Sequence, residues 1–278
     1  MVFRHKVSIF FCVLFVCFSS YAEEQYYERP MTILITSHNN KDWYKKNLDM
    51  VFSQNYSNYR VIYIDDCSSD KTGDLVEQYI KERDLEDRVL LIKNKKRMFK
   101  WYNFYHAVHE YCDDNDIVLD HDGDDWLACN DALRIINDAY TDPNVWLTYG
   151  SFFKFPNGEK GHCAAFPKQV IKNCSYRKYN KWVASQQRTF YAWLFKLVKV
   201  EDFMYRGDFI RASGDVAYML AILEMADGRF KFIRDMIYVH NKRPSSVYYT
   251  QTNHQRVVYH HIKRQPSYKR LECRPVFT

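Results

Sequence analysis

Four carboxylates crowd into the six residues Asp120-His121-Asp122-Gly123-Asp124-Asp125. The apolar run Ile117-Val118-Leu119 leads into them, and Trp126-Leu127 follows. Such a run suits a strand buried on both faces. Ionised carboxylates cannot continue into a core without partners. The strand is therefore expected to deliver Asp122, Asp124 and Asp125 to the surface at its carboxyl end. Carboxylates that close repel one another, and a hard divalent cation such as Mg²⁺ or Mn²⁺ offsets the repulsion. Gly123 lets the chain turn there without a Cβ. Ligands of open α/β sheets bind at the carboxyl ends of the strands, so the expected chemistry is a metal–phosphate site. The competing reading is a solvated acidic turn, because Asp-x-Asp spacing also occurs at Asp114/Asp116 and Asp120/Asp122.

The elements that would position this knot alternate along the chain. Strands are expected at Met31–Ile35, Arg60–Ile64, Arg88–Ile92, Asp116–Leu119 and Val145–Tyr149. Helices are expected at Asp42–Ser53, Asp70–Arg83 (capped by Ser68 or Ser69), Phe99–Cys112 and Asp131–Tyr140. That alternation means βαβ units, right-handed crossovers and a mainly parallel sheet. After Gly150 it fails. A loop-like segment runs to about Lys181, followed by a helix over Ser185–Leu197, an amphipathic helix over Asp215–Ala226 and a strand over Phe230–Val239. The polar, aromatic, basic tail from about Thr250 is expected to lie on the domain as a helix. No repeat or linker divides the chain, so residues 23–250 read as one α/β domain and 251–278 as its tail.

Arg4-His5-Lys6, the almost wholly apolar Val7–Phe18 and the small residues around Ala22 have the layout of a secretory signal peptide, residues 1–22. The apolar run is short for a membrane span. Losing Arg4 and Lys6 takes the formal charge from +6 to +4. That mild surplus suits an anionic ligand or peripheral contact with an anionic surface. No nucleic-acid-binding pattern accompanies it. The many aromatic residues suit sugar-handling clefts and ordinary cores alike. Cys12 and Cys17 leave with the signal segment. The six that remain permit disulfides, with Cys163 and Cys174 the first pair to test. None has the C-x-x-C spacing of a structural zinc site.

G-x-G-x-x-G, G-x-x-x-x-G-K-[ST] and G-x-S-x-G are all missing, which argues against dinucleotide-binding, P-loop and nucleophile-elbow enzymes. By contrast, Thr32-Ile33-Leu34-Ile35-Thr36-Ser37-His38-Asn39-Asn40 is similar to the opening strand and loop of family 2 glycosyltransferases of the GT-A fold. Tyr63-Ile64-Asp65-Asp66-Cys67-Ser68-Ser69-Asp70-Lys71-Thr72 resembles that family's second strand and loop. Asp122-Gly123-Asp124-Asp125-Trp126-Leu127 resembles its metal motif. Tyr149-Gly150-Ser151 and Arg188-Thr189-Phe190 resemble further recurring segments. The likeness runs from about Met31 to Asn241, with the first three motifs in family order and at family spacing.

The resemblance implies a Rossmann-like GT-A domain: a mainly parallel mixed sheet flanked by helices. It implies that Thr36 and Ser37 face a nucleotide, that Asp66 accepts from the uracil ring N–H, and that Arg97 meets the diphosphate, with Lys95 or Lys96 as alternatives. It places Asp122 near the donor ribose or metal, Asp124 and His240 on Mn²⁺ or Mg²⁺, and Asp215 as the catalytic base with Glu224 as the other carboxylate of that helix. Each has a structural alternative: turn chemistry for Thr36 and Ser37, a helix cap for Asp66, dipole stabilisation for Asp215 and an ordinary hydrogen bond for His240. His121 departs from the apolar residue usual before the first Asp, which leaves an Asp120/Asp122 register open.

The implied reaction is inverting transfer of a sugar from a UDP-sugar to a hydroxyl of a glycan, lipid or protein. A nucleotidyltransferase of similar fold, a non-catalytic glycan-binding protein and a secreted hydrolase are the alternatives. Nucleotide sugars are scarce outside cells, so a lumenal or periplasmic location is expected rather than open medium.

Overall fold

In the computed structural model, which describes residues 26–242 and 252–275, strand β1 (Met31–Ser37) is buried at every position. Its place in the sheet explains this. β1 pairs in parallel with β2 (Tyr59–Asp65) on one side and β4 (Ile117–Asp122) on the other, and β3 (Val89–Lys93) extends the parallel set beyond β2. Helices α1 (Tyr44–Phe52), α2 (Thr72–Glu82) and α3 (Lys100–Tyr111) are the crossovers that the alternation predicts. The expected signal segment, residues 1–22, lies outside the described residues.

The second half contributes β5 (Trp126–Leu127), α4 (Ala132–Ala139), β6 (Leu147–Phe155), β7 (Glu159–Lys160), α5 (Lys168–Lys172), β8 (Arg188–Tyr191) and α6 (Ala192–Lys196). A hairpin of β9 (Met204–Tyr205) and β10 (Asp208–Phe209) leads to α7 (Gly214–Ala226), β11 (Phe230–Asn241) and α8 (Thr252–Arg264). The main sheet runs β3-β2-β1-β4-β8-β6-β11-β5, with β7 on β6. β8 lies antiparallel between β4 and β6, while β6 and β11 are parallel. The result is a single α/β domain with a mainly parallel mixed sheet flanked by helices.

Several local expectations change. The helix foreseen over Ser185–Leu197 is strand β8 followed by the single turn of α6. Pairing of Arg188 opposite Asp120 and Phe190 opposite Val118 decides it, as tertiary context overrides propensity. The loop foreseen after Gly150 begins later, because β6 runs through that glycine to Phe155. Neither Ser68 nor Ser69 caps α2: its N-cap position is Lys71, and Asp70 just before it accepts from the Thr72 N–H at 3.0 Å. All six described cysteines are free. The Cys163 and Cys174 thiols donate to the carbonyls of Gln186 and Glu224 instead of pairing. No helix of the described residues is long and apolar enough to cross a membrane.

Helix α7 is not amphipathic, since every residue but Asp215 is buried. The tail supplies the missing cover. Val258 and Ile262 of α8 join the apolar cluster around α7, and each such burial stabilises by about 1.5–3 kcal/mol. Glu224, on the outer side of α7, is fully buried and bonds to Arg177 at 2.8 and 3.1 Å. It also accepts from the Tyr268 N–H, while Arg177 donates to the Ile262 carbonyl. One buried ion pair thus fastens the tail to the core. Glu224→Gln should lower unfolding free energy by about 3–5 kcal/mol, because Arg177 stays buried without its counter-charge. Urea titration checks this, and a loss below about 1 kcal/mol would contradict it.

Candidate active site

The carboxyl ends of β1, β2 and β4 meet at one edge of the sheet. Thr36 and Ser37 end β1, with Asp65 opposite Ser37 on one side and Asp122 opposite Thr36 on the other. The Ser37 hydroxyl accepts from Asn40, and the buried Thr36 hydroxyl has no partner among the described residues. Gly123 donates its N–H to the Thr36 carbonyl. A Cβ there would lie 2.6 Å from that of Ser37, so close approach, not a left-handed turn, requires the glycine.

Asp66 follows β2 and is buried, yet it caps no helix. It accepts from Asn94 Nδ2 at 2.9 Å and from the Met98 and Phe99 N–H groups at 2.8 Å, fastening the loop before α3. Burial opposes its ionisation, but the Met98 N–H and the side-chain donors outweigh that, and its pKa is lowered. Arg97 is exposed, 4.0 Å from Asp66. Lys95 and Lys96 are also exposed.

The acidic knot sorts its members by strand alternation, which puts neighbours on opposite faces. Asp120 is fully buried. Its Oδ2 accepts from Arg188 at 2.7 and 3.0 Å and from the Tyr218 hydroxyl at 2.8 Å, and Lys100 lies 2.9 Å from Oδ1. Burial would raise its pKa, but Lys100 and Arg188 hold it well below the usual carboxylate range. His121 points to the other face, buried and edge-on to Tyr238, and burial lowers its pKa. A neutral ring in that place acts as the apolar residue would. Asp122 is 23% exposed, with Lys100 at 2.6 Å on one oxygen and Gln186 at 3.2 Å on the other.

Asp124 is half-buried. Asp125, expected at the surface, is instead buried, because it clamps β11: it accepts from Tyr238 OH at 2.7 Å and the Asn241 N–H at 2.7 Å, and meets His240 Nδ1 at 3.1 Å. Burial would lower the His240 pKa, but Asp125 outweighs it and the net shift is upward. Among the described residues no three His, Cys, Asp or Glu side chains form a ready-made metal cage.

Asp215 opens α7, 25% exposed, with Arg188 Nη1 at 3.3 Å. The same nitrogen donates to Gln186 Oε1 at 3.3 Å. Asp122, Gln186, Arg188 and Asp215 therefore form one hydrogen-bonded chain. Glu224, buried on Arg177, stands apart from it. Lys100, Gln186 and Arg188 are the members to which the sequence gives no role, and Asp125 is one it places only at the surface. Their signals were a lysine closing the basic loop, the recurring Arg188-Thr189-Phe190 segment and the fourth acid of the knot.

The sequence model of glycosyl transferase family 2 matches residues 32–198. No curated protein matches the chain in sequence. Among solved structures, S. aureus TarS in complex with UDP-GlcNAc superposes with a TM-score of 0.55 at 14% identity, over 78% of this chain and 60% of that one. The mannosyltransferase PcManGT from Pyrobaculum calidifontis, in complex with GDP-Man and Mn²⁺, gives 0.57 at 18% identity, over 87% and 66%. GalNAc-T7 with UDP, GalNAc and Mn²⁺ gives 0.54 at 12%, over 79% and 46%. At these identities the likeness is one of fold, the GT-A fold. The chain spans about 60% of the length of TarS in that complex.

Asp120→Asn should cost about 3–5 kcal/mol by stranding Arg188 and Lys100, while Asp124→Asn should cost less than about 1 kcal/mol. The folded pKa of Asp120 lies below the unfolded value of about 3.9. Its contribution is complete above that value and is lost as pH falls towards the folded pKa. Wild-type stability should therefore drop more steeply below about pH 4 than that of Asp120→Asn. Denaturant titrations across pH check both statements, and equal costs for the two variants would contradict them.

Proposed function

Since the chain belongs to glycosyl transferase family 2, we propose that it is an inverting, metal-dependent hexosyltransferase acting on a UDP-sugar, with Asp215 as general base. The observation that carries this reading is the chain Asp122–Gln186–Arg188–Asp215. It ties the carboxylate of the metal motif to a second, partly exposed carboxylate at the mouth of the site. Arg188 fixes the orientation of Asp215, whose exposed face can take the acceptor's proton.

Asp66 has about four lone-pair sites and uses three on Asn94, Met98 and Phe99. The fourth suits the ring N–H of uracil. Ser37, whose carbonyl accepts from the Asp66 N–H, and Thr36 end the neighbouring strand, the unpartnered Thr36 hydroxyl offering a donor. Arg97 reaches the diphosphate. The register is Asp122 and Asp124, because Asp120 is enclosed by Arg188, Tyr218 and Lys100.

Asp124 and His240 suit a divalent ion. Asp125 engages Nδ1 of His240 and leaves Nε2 as the ligating nitrogen. Mg²⁺-type sites take one or two protein ligands and substrate phosphates rather than an all-protein cage, which fits a pair without a third member. When bound, the ion supplies Lewis-acid neutralisation of the leaving diphosphate. TarS, PcManGT and GalNAc-T7 are described with nucleotide-sugar or nucleotide ligands, the last two with Mn²⁺. If the signal segment is functional, the acceptor is a glycan, lipid or protein met in a lumenal or periplasmic compartment.

Incubation with a panel of nucleotide sugars and Mn²⁺ tests the reading. Release of UDP is expected, whereas release of pyrophosphate, or no turnover, would contradict it. Asp215→Asn should leave donor affinity near normal and lower transfer by about two to four decades. In calorimetric titrations UDP should bind tighter than CDP, and Asp66→Ala should lose much of that preference. An unchanged ranking in the variant would remove Asp66 from the nucleotide site.

A further inference from the structure

Two arginines converge on the ring of Phe99. The guanidinium carbon of Arg97 lies 4.8 Å from the ring centre and that of Arg211 lies 4.3 Å from it. The two cations are thus no further apart than those distances summed. Both side chains are exposed. Among the described residues, Arg211 has no hydrogen bond or ion pair beyond that ring. The acid nearest Arg97 is Asp66 at 4.0 Å, which already accepts three shorter bonds. Among the described residues Arg211 is thus an exposed cation without a counter-charge, beside an arginine whose nearest carboxylate is already engaged, and an oxyanion can meet it with charge-assisted hydrogen bonds.

The support for the pair is fixed. Phe99 sits at φ 67°, a region that bulky residues seldom occupy and that persists where the surroundings over-determine it. Here its N–H is held by Asp66. The segment carrying Arg211 is fastened to α3, because Phe209 of β10 packs edge-on to Tyr102 at 5.2 Å. The start of α7 is fastened to α3 as well: a Cβ on Gly214 would lie 2.2 Å from the Trp101 indole. Arg211 is therefore held against Phe99, whose N–H is bonded to Asp66, and stands four residues before Asp215 in the chain.

We infer that Arg211, steadied on Phe99 beside Arg97, binds an oxyanion of the acceptor, so that the acceptor is an acidic molecule carrying a phosphate or a carboxylate. This rests on the transferase reading. Arg211 shares its segment with the base that takes the acceptor's proton, whereas Asp122, Asp124 and His240 face the donor. Arg97, between them, serves the diphosphate as well.

The test titrates inorganic phosphate and, separately, glucuronate into the full-length protein saturated with UDP and Mg²⁺, with glucose as the neutral control. At least one anion should bind the wild type, and the tighter of the two identifies the acceptor's group. Arg211→Gln should weaken that binding about tenfold or more, with UDP affinity and thermal midpoint unchanged. Three results would overturn the inference: neither anion binding the UDP-saturated protein, Arg211→Gln binding like the wild type, or UDP displacing the anion, which would assign the pair to the donor. A wild type that fails to bind UDP would contradict the transferase reading and this inference with it. Intact UDP binding without anion binding would contradict this inference alone.

Discussion

A fully buried carboxylate has to be satisfied from all sides, and Asp120 is the one around which this molecule is arranged. Removing an ion from water costs several kcal/mol even after relaxation, so a single partner rarely suffices. Asp120 receives two N–H groups of Arg188, the Tyr218 hydroxyl and the Lys100 ammonium. Those partners come from β8, α7 and α3, and Asp120 itself from β4. One anion therefore fixes the relative placement of four elements. The partners have donors to spare, and these set the next layer: Lys100 reaches Asp122, and Arg188 reaches Gln186 and Asp215. The partly exposed carboxylates stand where they do because the buried one needed those cations.

The same logic joins the Asp66 end of the sheet to the acidic knot. Asn94 to Lys100 is one short segment, bonded to Asp66 near its start and middle and to Asp120 and Asp122 at its end. It cannot shift at one carboxylate without disturbing the other. On the far side, Asp125 does for β11 what Asp66 does for this loop, holding Tyr238, His240 and Asn241 together. Under the proposed function, a donor entering between these anchors would meet a largely preformed site, so little binding energy would be lost to ordering it.

Much of the first half was legible in the sequence. Its strands are continuous apolar runs and its crossovers carry helical periodicity, so local pattern and final structure agree from Met31 to Asp122. Legibility failed where long-range partners decide. Arg188–Tyr191 becomes a strand because a slot beside β4 awaits it, and α7 is buried all round because a tail some thirty residues later covers it. Spacing and resemblance drew attention to Thr36, Ser37, Asp66, Asp122 and Asp124, which lie at or just past the carboxyl ends of β1, β2 and β4, and to Asp215 of α7, which is linked to Asp122 through Arg188 and Gln186. The motif register favours Asp122 and Asp124 over Asp120, but that Asp120 and Asp125 are enclosed by cations and donors was not legible, because exposure is a property of the fold. Lys100 and Arg188 escaped for the same reason: a lone cation in a sequence does not say which anion it faces.

The proposed function requires a nucleotide diphosphate and a divalent ion to meet at Asp124 and His240, with the base ring against Asp66. A crystal structure of the protein soaked with UDP and Mn²⁺, with the metal located by its anomalous signal, tests that most directly. The prediction is a manganese peak about 2 Å from an Asp124 oxygen, shared with the diphosphate and with His240 Nε2, and uracil N–H on Asp66. Manganese bound by Asp120 and Asp122 with Lys100 displaced, or UDP seated away from Asp66, would contradict it.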